Sequence, residues 1–232
     1  MTRASRAADP VALAIDTSTR TSCVALGSRA GPAATSRRPA GYRHGAHLLD
    51  QIGEVLLAAA VQLDDLDALV VGIGPGSFTG LRVGLATAKT IAHLRSLALV
   101  GVRSTDALRR AAADVAGAPP GAAVVLPAGA HDHCLARAGQ DAILVPSGSL
   151  VAEVAGLVVV AVDVGPDLLG REASRLGESA VEGLPAAVLA LGHERHARAA
   201  HDDVATLVPA YVALPRGIAA AAEGLAWSPD LR

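Results

Sequence analysis

Gly74-Pro-Gly-Ser-Phe-Thr-Gly-Leu-Arg-Val-Gly84 follows an apolar run, Ala68 to Ile73, that reads as a buried strand. It leads into a segment, Leu81 to Leu94, that reads as a helix. In an α/β fold such a handover faces a ligand or a partner, because the N–H groups that open a helix have no partner within it. The stretch is not a P-loop: no Gly-Lys-Ser/Thr follows, and the only lysine stands further on, at Lys89. It is not a nucleophile elbow either, since Gly-x-Ser-x-Gly needs a glycine where Pro75 stands, which leaves Ser77 a poor nucleophile. The simpler reading is a tight turn whose glycines let helix and strand pack closely. Gly80 and Gly84 share one helical face at i, i+4 and admit another helix. A packing or partner surface fits the stretch better than catalysis.

Working outward, Val11 to Ile15 is a short apolar strand that ends at Asp16-Thr-Ser-Thr19, and Thr21 to Leu26 reads as a second strand. A third covers Ala33 to Arg38. His44 to Val61 carries apolar residues at 48, 49, 52, 55, 56 and 59, a helical period with one buried stripe. After the glycine-rich turn come a strand at Leu97 to Val102 and a helix over Ala107 to Val115, capped by Ser104-Thr-Asp106. Gly117-Ala-Pro-Pro-Gly121 marks a boundary between lobes. Strands are expected at 123–127, 132–137 and 142–145, then a short helix near 148–155, a strand at Leu157 to Val162, and a helix from Pro185 to Ala199 with proline at its start. One α/β unit thus appears in full and returns in shortened form, an internal repeat.

The bulk composition narrows the function classes. The chain has 232 residues, 51% hydrophobic but only 2% aromatic, so Ala, Val, Leu and Ile must build its core. Its formal net charge is −2 and no basic block stands out, so nucleic acid is contacted only indirectly. Cys23 and Cys134 lie far apart without a Cys-x-x-Cys, as expected of a reducing, cytoplasmic setting. The polar first ten residues do not read as a secretory signal, no apolar run reaches membrane-spanning length, and no membrane role is expected.

Asp16-Thr-Ser-Thr19 places a carboxylate and three hydroxyls at the carboxyl end of the first strand, where open α/β sheets bind ligands. Taken alone, a hairpin-closing Asx or Ser/Thr turn is the simpler reading. His131, His133 and Cys134 make an incomplete metal set, because alternate strand residues share a face and the thiol points away. His193-Glu-Arg-His196 is one residue short of the zinc motif. No metal site is expected.

The stretches Ala14-Ile-Asp-Thr-Ser-Thr19, His44-x-x-x-Leu48-Leu49, Asp67 to Lys89 and Leu99 to Leu108 resemble, in order, the TsaB (YeaZ) family, relatives of TsaD. The resemblance covers roughly residues 11 to 110. It implies an actin-like (ASKHA) α/β fold of two lobes with a reduced second lobe. The tail would be 1–10, the first lobe 11–116, the second lobe 117–216 and the C-terminal tail 217–232. It also implies a role in threonylcarbamoyl modification of adenosine 37 in tRNAs that read ANN codons. In that system TsaD carries the catalytic metal site, TsaE is an ATPase and TsaC makes the threonylcarbamoyl-adenylate donor. TsaB and TsaD meet through helices of their first lobes, which puts His44, Leu48, Gly76, Ser77, Thr79, Gly80, Arg82, Gly84 and Thr87 at a partner interface.

The second half departs from the family. Where the family has Asp-Ala-Arg followed by Gly-Glu-Val-Tyr, this chain has Val125-Leu-Pro-Ala-Gly-Ala-His-Asp-His-Cys134, although Leu207-Val-Pro-Ala-Tyr211 resembles the family's closing Pro-x-Tyr. The combined expectation is a non-catalytic scaffold subunit with a TsaD-like catalytic partner and a TsaE-like ATPase, forming a homodimer when the partner is absent. Asp16, Thr17, Ser18 and Arg20 would line a remnant pocket that touches nucleotide only in the assembled complex, so ATP, ADP and metal enter through the partner. The rival reading is a self-contained ATP-dependent enzyme or metallopeptidase. It would need a second phosphate turn, for which Val162-Asp-Val-Gly165 is the best choice, and no Gly-Gly pair follows in the second lobe.

Overall fold

The computed structural model describes residues 9–39 and 44–212, so the expected tail at 217–232 and most of that at 1–10 lie outside the described residues. Strands β1 (Ala12–Asp16), β2 (Thr21–Ser28), β3 (Gly31–Pro39), β4 (Ala68–Gly74) and β5 (Ala98–Arg103) form one sheet in the order β3-β2-β1-β4-β5. β1, β2 and β3 pair antiparallel, whereas β1, β4 and β5 run parallel. A second sheet contains β6 (Ala123–Pro127), β7 (Asp132–Ala136), β8 (Ile143–Pro146) and β9 (Val159–Ala161), in the order β8-β7-β6-β9. It repeats the pairing of the first with one strand fewer, as the sequence repeat foretold.

Helices fill the layers between and outside the sheets. α1 (His44–Ala58) and α2 (Phe78–Arg95) cover one face of the first sheet, where Leu13, Ile15, Val24, Leu26, Leu69 and Val71 meet Leu48, Ile52, Leu85 and Ala88. The opposite face carries smaller residues, Ala12, Ala14, Ala25 and Ala68. Onto it pack α3 (Ser104–Ala116) and α6 (Arg171–Ala197), which also meet Val124, Leu126, Val160 and Val162 of the second sheet. The far side of the second sheet is closed by Leu150 of α4 (Ser147–Glu153) and by Leu168 and Leu169 of the short α5 (Pro166–Leu169). Arg109 of α3 stitches the halves together: buried, it donates to the Ala122 and Ala136 carbonyls at 2.8 and 3.1 Å and pairs with Asp106 at 2.8 Å.

Three expectations change. α2 begins at Phe78 because the Ser77 hydroxyl accepts from the Gly80 N–H and caps it. α3 begins at Ser104 itself, with no side-chain cap, since the Ser104 hydroxyl is engaged elsewhere. The expected helix at Pro185 is the second half of α6, which starts at Arg171. Pro185 withholds one N–H from the ladder, yet Ala180, Leu184, Ala187 and Val188 form an unbroken buried stripe around it. Helical packing on both sheets outweighs the missing bond. The segment expected as second lobe therefore carries the second sheet and then returns, along α6, to the first.

α6 crosses both sheets at glycines. A Cβ on Gly177 would overlap the Ala161 carbonyl of β9, and one on Gly192 would overlap Val70 of β4. Further along, His193 is buried with Nε2 3.3 Å from the Gly27 carbonyl, and Nδ1 has no hydrogen-bond partner among the described residues.

Two tests follow from this helix. Gly177→Ala should lower stability by about 1–3 kcal/mol in urea unfolding, the usual cost of overpacking. Gly165→Ala, with open space at its Cβ, should leave the midpoint unchanged. Burial also holds His193 and His196 below the usual imidazole value of 6.5. Such groups favour the neutral form when folded, so their contribution is complete above the unfolded value and is lost as pH falls through the lower folded one. Calorimetric Tm should drop between about pH 7 and pH 5, and His193→Gln should flatten that slope.

Candidate functional site

The β1–β2 turn and the glycine-rich stretch form one unit. Asp16 Oδ1 accepts from the Ser18 N–H at 2.8 Å and the Ser18 hydroxyl at 2.6 Å, an Asx turn. Its Oδ2 accepts from the Ser104 hydroxyl at 2.6 Å, which itself accepts from the Gly74 N–H at 3.0 Å. The Thr17 hydroxyl donates to the Gly80 carbonyl at 2.7 Å, and the Ser77 N–H donates to the Ser18 carbonyl at 2.7 Å. The carboxylate thus joins the end of β1, the turn after β4 and the start of α3.

Four glycines spaced four apart make the seat for this turn. A Cβ on Gly72 would overlap the Asp16 carboxylate, one on Gly76 the Ser18 carbonyl, one on Gly80 the Thr17 carbonyl and one on Gly84 the Thr17 hydroxyl. At Gly74 the backbone takes φ +91°, in the left-handed region that favours glycine, as the strand turns away. The i, i+4 pair Gly80 and Gly84 was legible in the sequence, but its object was not, because residues 16–18 are remote along the chain.

Several expected interface residues are therefore inward. Gly80 and Gly84 are buried against Thr17, so the notch on α2 receives this chain's own turn rather than another helix. Gly76 and Ser77 are partly covered by Ser18. Leu48 is only 1% exposed and belongs to the core. Its neighbour Leu49, expected in the buried stripe, is instead 65% exposed. Thr79 and Arg82 face solvent, Thr87 is half-buried, and the side chain of His44 lies outside the described residues.

α1 and α2 lie side by side, and each leaves an apolar stripe uncovered. On α1 this is Leu49, Gly53 and Leu57, at i, i+4 and i+8, with Leu57 82% exposed and open space at Gly53. On α2 it is Ala86, Thr90 and Leu94, with Leu94 73% exposed.

The nucleotide-contact candidates are divided. Asp16, Thr17 and Ser18 are enclosed and hydrogen-bonded as described, while Arg20 is exposed. The Arg20 N–H donates to Asp163 Oδ2 at 2.7 Å, so the two turns considered for gripping phosphate are bonded to each other. That arrangement fits a nucleotide phosphate poorly. His131 lies ahead of β7 rather than in it, its carbonyl accepting from the Ser147 N–H and hydroxyl at 2.8 Å each. His133 Nδ1 stands 3.3 Å from the Ser147 hydroxyl, and Cys134 points into the core, where burial pushes its thiol up to about 12. No group of three or more His, Cys, Asp or Glu among the described residues is placed to hold a metal ion.

One cluster was not anticipated. After α6 the chain returns along β5: the Asp202 N–H donates to the Leu99 carbonyl at 2.8 Å, and Asp202 Oδ2 accepts from the Gly101 N–H at 2.7 Å. The strap continues past the Lys89 ammonium, which donates to the Ala205 carbonyl at 3.2 Å, and reaches Tyr211. There the Arg82 guanidinium lies 3.7 Å above the Phe78 ring and donates to the Tyr211 hydroxyl at 2.9 Å, with the two rings 5.1 Å apart. The closing Pro-x-Tyr was the sole sequence signal for this contact.

Removing the Ser104 hydroxyl strips a donor from the Asp16 carboxylate and an acceptor from the Gly74 N–H, both buried. Ser104→Ala should cost about 1–3 kcal/mol in urea unfolding, as an unsatisfied buried polar group does. Gly80→Ala, which drives a methyl into the Thr17 carbonyl, should also destabilise. An unchanged midpoint in both variants would show that the turn is not held by this seat.

The chain resembles known proteins. It is 38% identical over 100 residues to the tRNA threonylcarbamoyladenosine biosynthesis protein TsaB of Haemophilus influenzae, covering 43% of this chain and 42% of that protein. It is 36% identical over 90 residues to the TsaB of Escherichia coli, covering 39% and 38%. An uncharacterized protein of Mycobacterium tuberculosis is 45% identical over 65 residues, covering 28% and 31%. The chain thus matches between about a third and two fifths of the length of these curated relatives. A solved Pseudomonas aeruginosa structure, an uncharacterized protein with similarity to peptidase YEAZ, superposes with TM-score 0.68 at 22% identity, covering 88% of this chain and all of that one. The fold is therefore the YeaZ fold, and among the described residues no helix is long and apolar enough to cross a membrane. A family model described as TsaD, tRNA N6-adenosine threonylcarbamoyltransferase, matches residues 38–166, more than half of the sequence, and the chain belongs to the TsaD family.

Proposed function

We propose that this chain is a non-catalytic scaffold subunit in threonylcarbamoyl transfer to adenosine 37 of tRNA, working in the cytoplasm beside a TsaD-like catalytic subunit and a TsaE-like ATPase. The observation that carries the reading is the uncovered apolar stripe on α1 and α2, with Leu49, Leu57 and Leu94 facing solvent on adjacent helices. Large exposed aliphatic side chains on neighbouring helices are the raw material of a protein interface. The glycine-rich stretch supports the same reading from the inside. Its glycines and hydroxyls seat the Asp16–Ser18 turn, which sets the angle of α2. ATP, ADP and metal enter through the partner, and tRNA is held by the assembled complex rather than by this chain alone. Without its partner the same stripe joins two copies, so homodimer and heterodimer compete.

Co-expression with the cognate TsaD-like protein tests the proposal by size exclusion. The two should co-elute, and a Leu57→Asp, Leu94→Asp double substitution should weaken the pair at least about tenfold, equivalent to 1.4 kcal/mol, with Tm unchanged. Separate peaks for the parent proteins would sink the scaffold reading. Turnover of Mg-ATP by the isolated chain would favour the rival enzyme.

A further inference from the structure

A cavity of about 610 Å³ opens where the start of α2, the β6–β7 turn and the strap meet. It lies apart from the α1–α2 stripe. Its lining includes Phe78 and Tyr211, two of the four aromatic residues of the chain, together with Pro127 and Leu144. Such walls favour an apolar or ring-bearing body.

Asp132 is the one charged side chain of the lining among the described residues, and the Arg82 guanidinium stands against the Phe78 and Tyr211 rings of the wall. The Asp132 carboxylate accepts no hydrogen bond and forms no ion pair among the described residues. No lysine, arginine or histidine is part of the lining among those residues. The adjoining His133 is held below its usual value, first by burial, so it does not neutralise Asp132. Arg82 is committed to the Phe78 ring and the Tyr211 hydroxyl. At the opening of α2 the Ser77 N–H is given to the Ser18 carbonyl and the Gly80 N–H to the Ser77 hydroxyl. An unpaired carboxylate set among apolar and aromatic walls attracts a cation by its charge.

We propose that this cavity is a binding site for an organic amine, an apolar or aromatic body carrying one ammonium group, with Phe78 and Tyr211 packing the body and Asp132 taking the charge. A phosphate-bearing ligand meets a carboxylate in the lining, and the Arg82 guanidinium beside it is turned to the Phe78 ring and the Tyr211 hydroxyl.

Three probes that share a ring and differ in charge test the site on the full chain by calorimetry: tryptamine, indole and indole-3-acetate. Tryptamine should bind about tenfold more tightly than indole and indole-3-acetate more weakly than both, a tenfold step being 1.4 kcal/mol. Asp132→Asn should bring tryptamine to the level of indole, and Ala130→Trp, at an exposed position of the lining, should remove the binding of both. Should Asp132→Asn fail to fold, Asp132→Glu, expected to keep the preference for tryptamine, reads the charge in its place. The proposal is overturned if tryptamine gives no saturable heat, if indole-3-acetate or ATP binds more tightly than tryptamine, or if the preference survives Asp132→Asn.

Discussion

The turn at residues 16 to 18 is pressed, by backbone and side chains, against Gly72, Gly76, Gly80 and Gly84, and three of the chain's structural layers take their positions from that contact. Strand β1 ends there, β4 turns into α2 there, and through the Asp16–Ser104 bond α3 begins there. Any side chain at the four glycines would occupy space already filled by a carboxylate, two carbonyls or a hydroxyl. The buried polar groups are affordable only because each finds a partner inside the same knot. A stretch with the look of a ligand loop is thus a joint, and its rigidity is what aims α2 outward.

The second constraint is the thinness of the layer between the sheets. Alanines on the inner face of the first sheet, and glycines at the points where α6 crosses Ala161 and Val70, bring helix and sheet backbones close together. A core nearly without aromatic side chains achieves its density in this way, through short contacts repeated along one long helix rather than through large anchors. The same economy explains why Pro185 is accepted in the middle of α6: packing on both sides fixes the helix whatever one missing hydrogen bond costs.

How far the sequence reads depends on the range of the forces involved. The strands and helices of the first half follow from apolar periodicity and turn residues, which act over a few positions, and the repeated sheet order follows from them. Leu49 went to the wrong side because a stripe at 48, 49, 52, 55 and 56 is wider than the face that a sheet can cover, so one residue is left outside. The start of α6 was hidden because Arg171 to Gly183 is charged and glycine-containing, and its helicity comes from tertiary contact. The inward facing of Gly80 and Gly84, the Arg20–Asp163 bond and the Arg82–Phe78–Tyr211 cluster all join residues far apart along the chain. No local pattern announces such pairings.

The strap along β5 bears on how the protein is made. β5 is the edge of the first sheet, and its exposed N–H and C=O groups are covered only when Asp202 and the residues after it arrive. The inner face of that sheet likewise waits for the second half of α6. During synthesis from the N-terminus, the whole first sheet therefore exists for a time with one bare edge and one bare face, a condition that invites pairing with other nascent chains. The second sheet is made during this interval, so its speed of folding governs how long the first half stands unprotected.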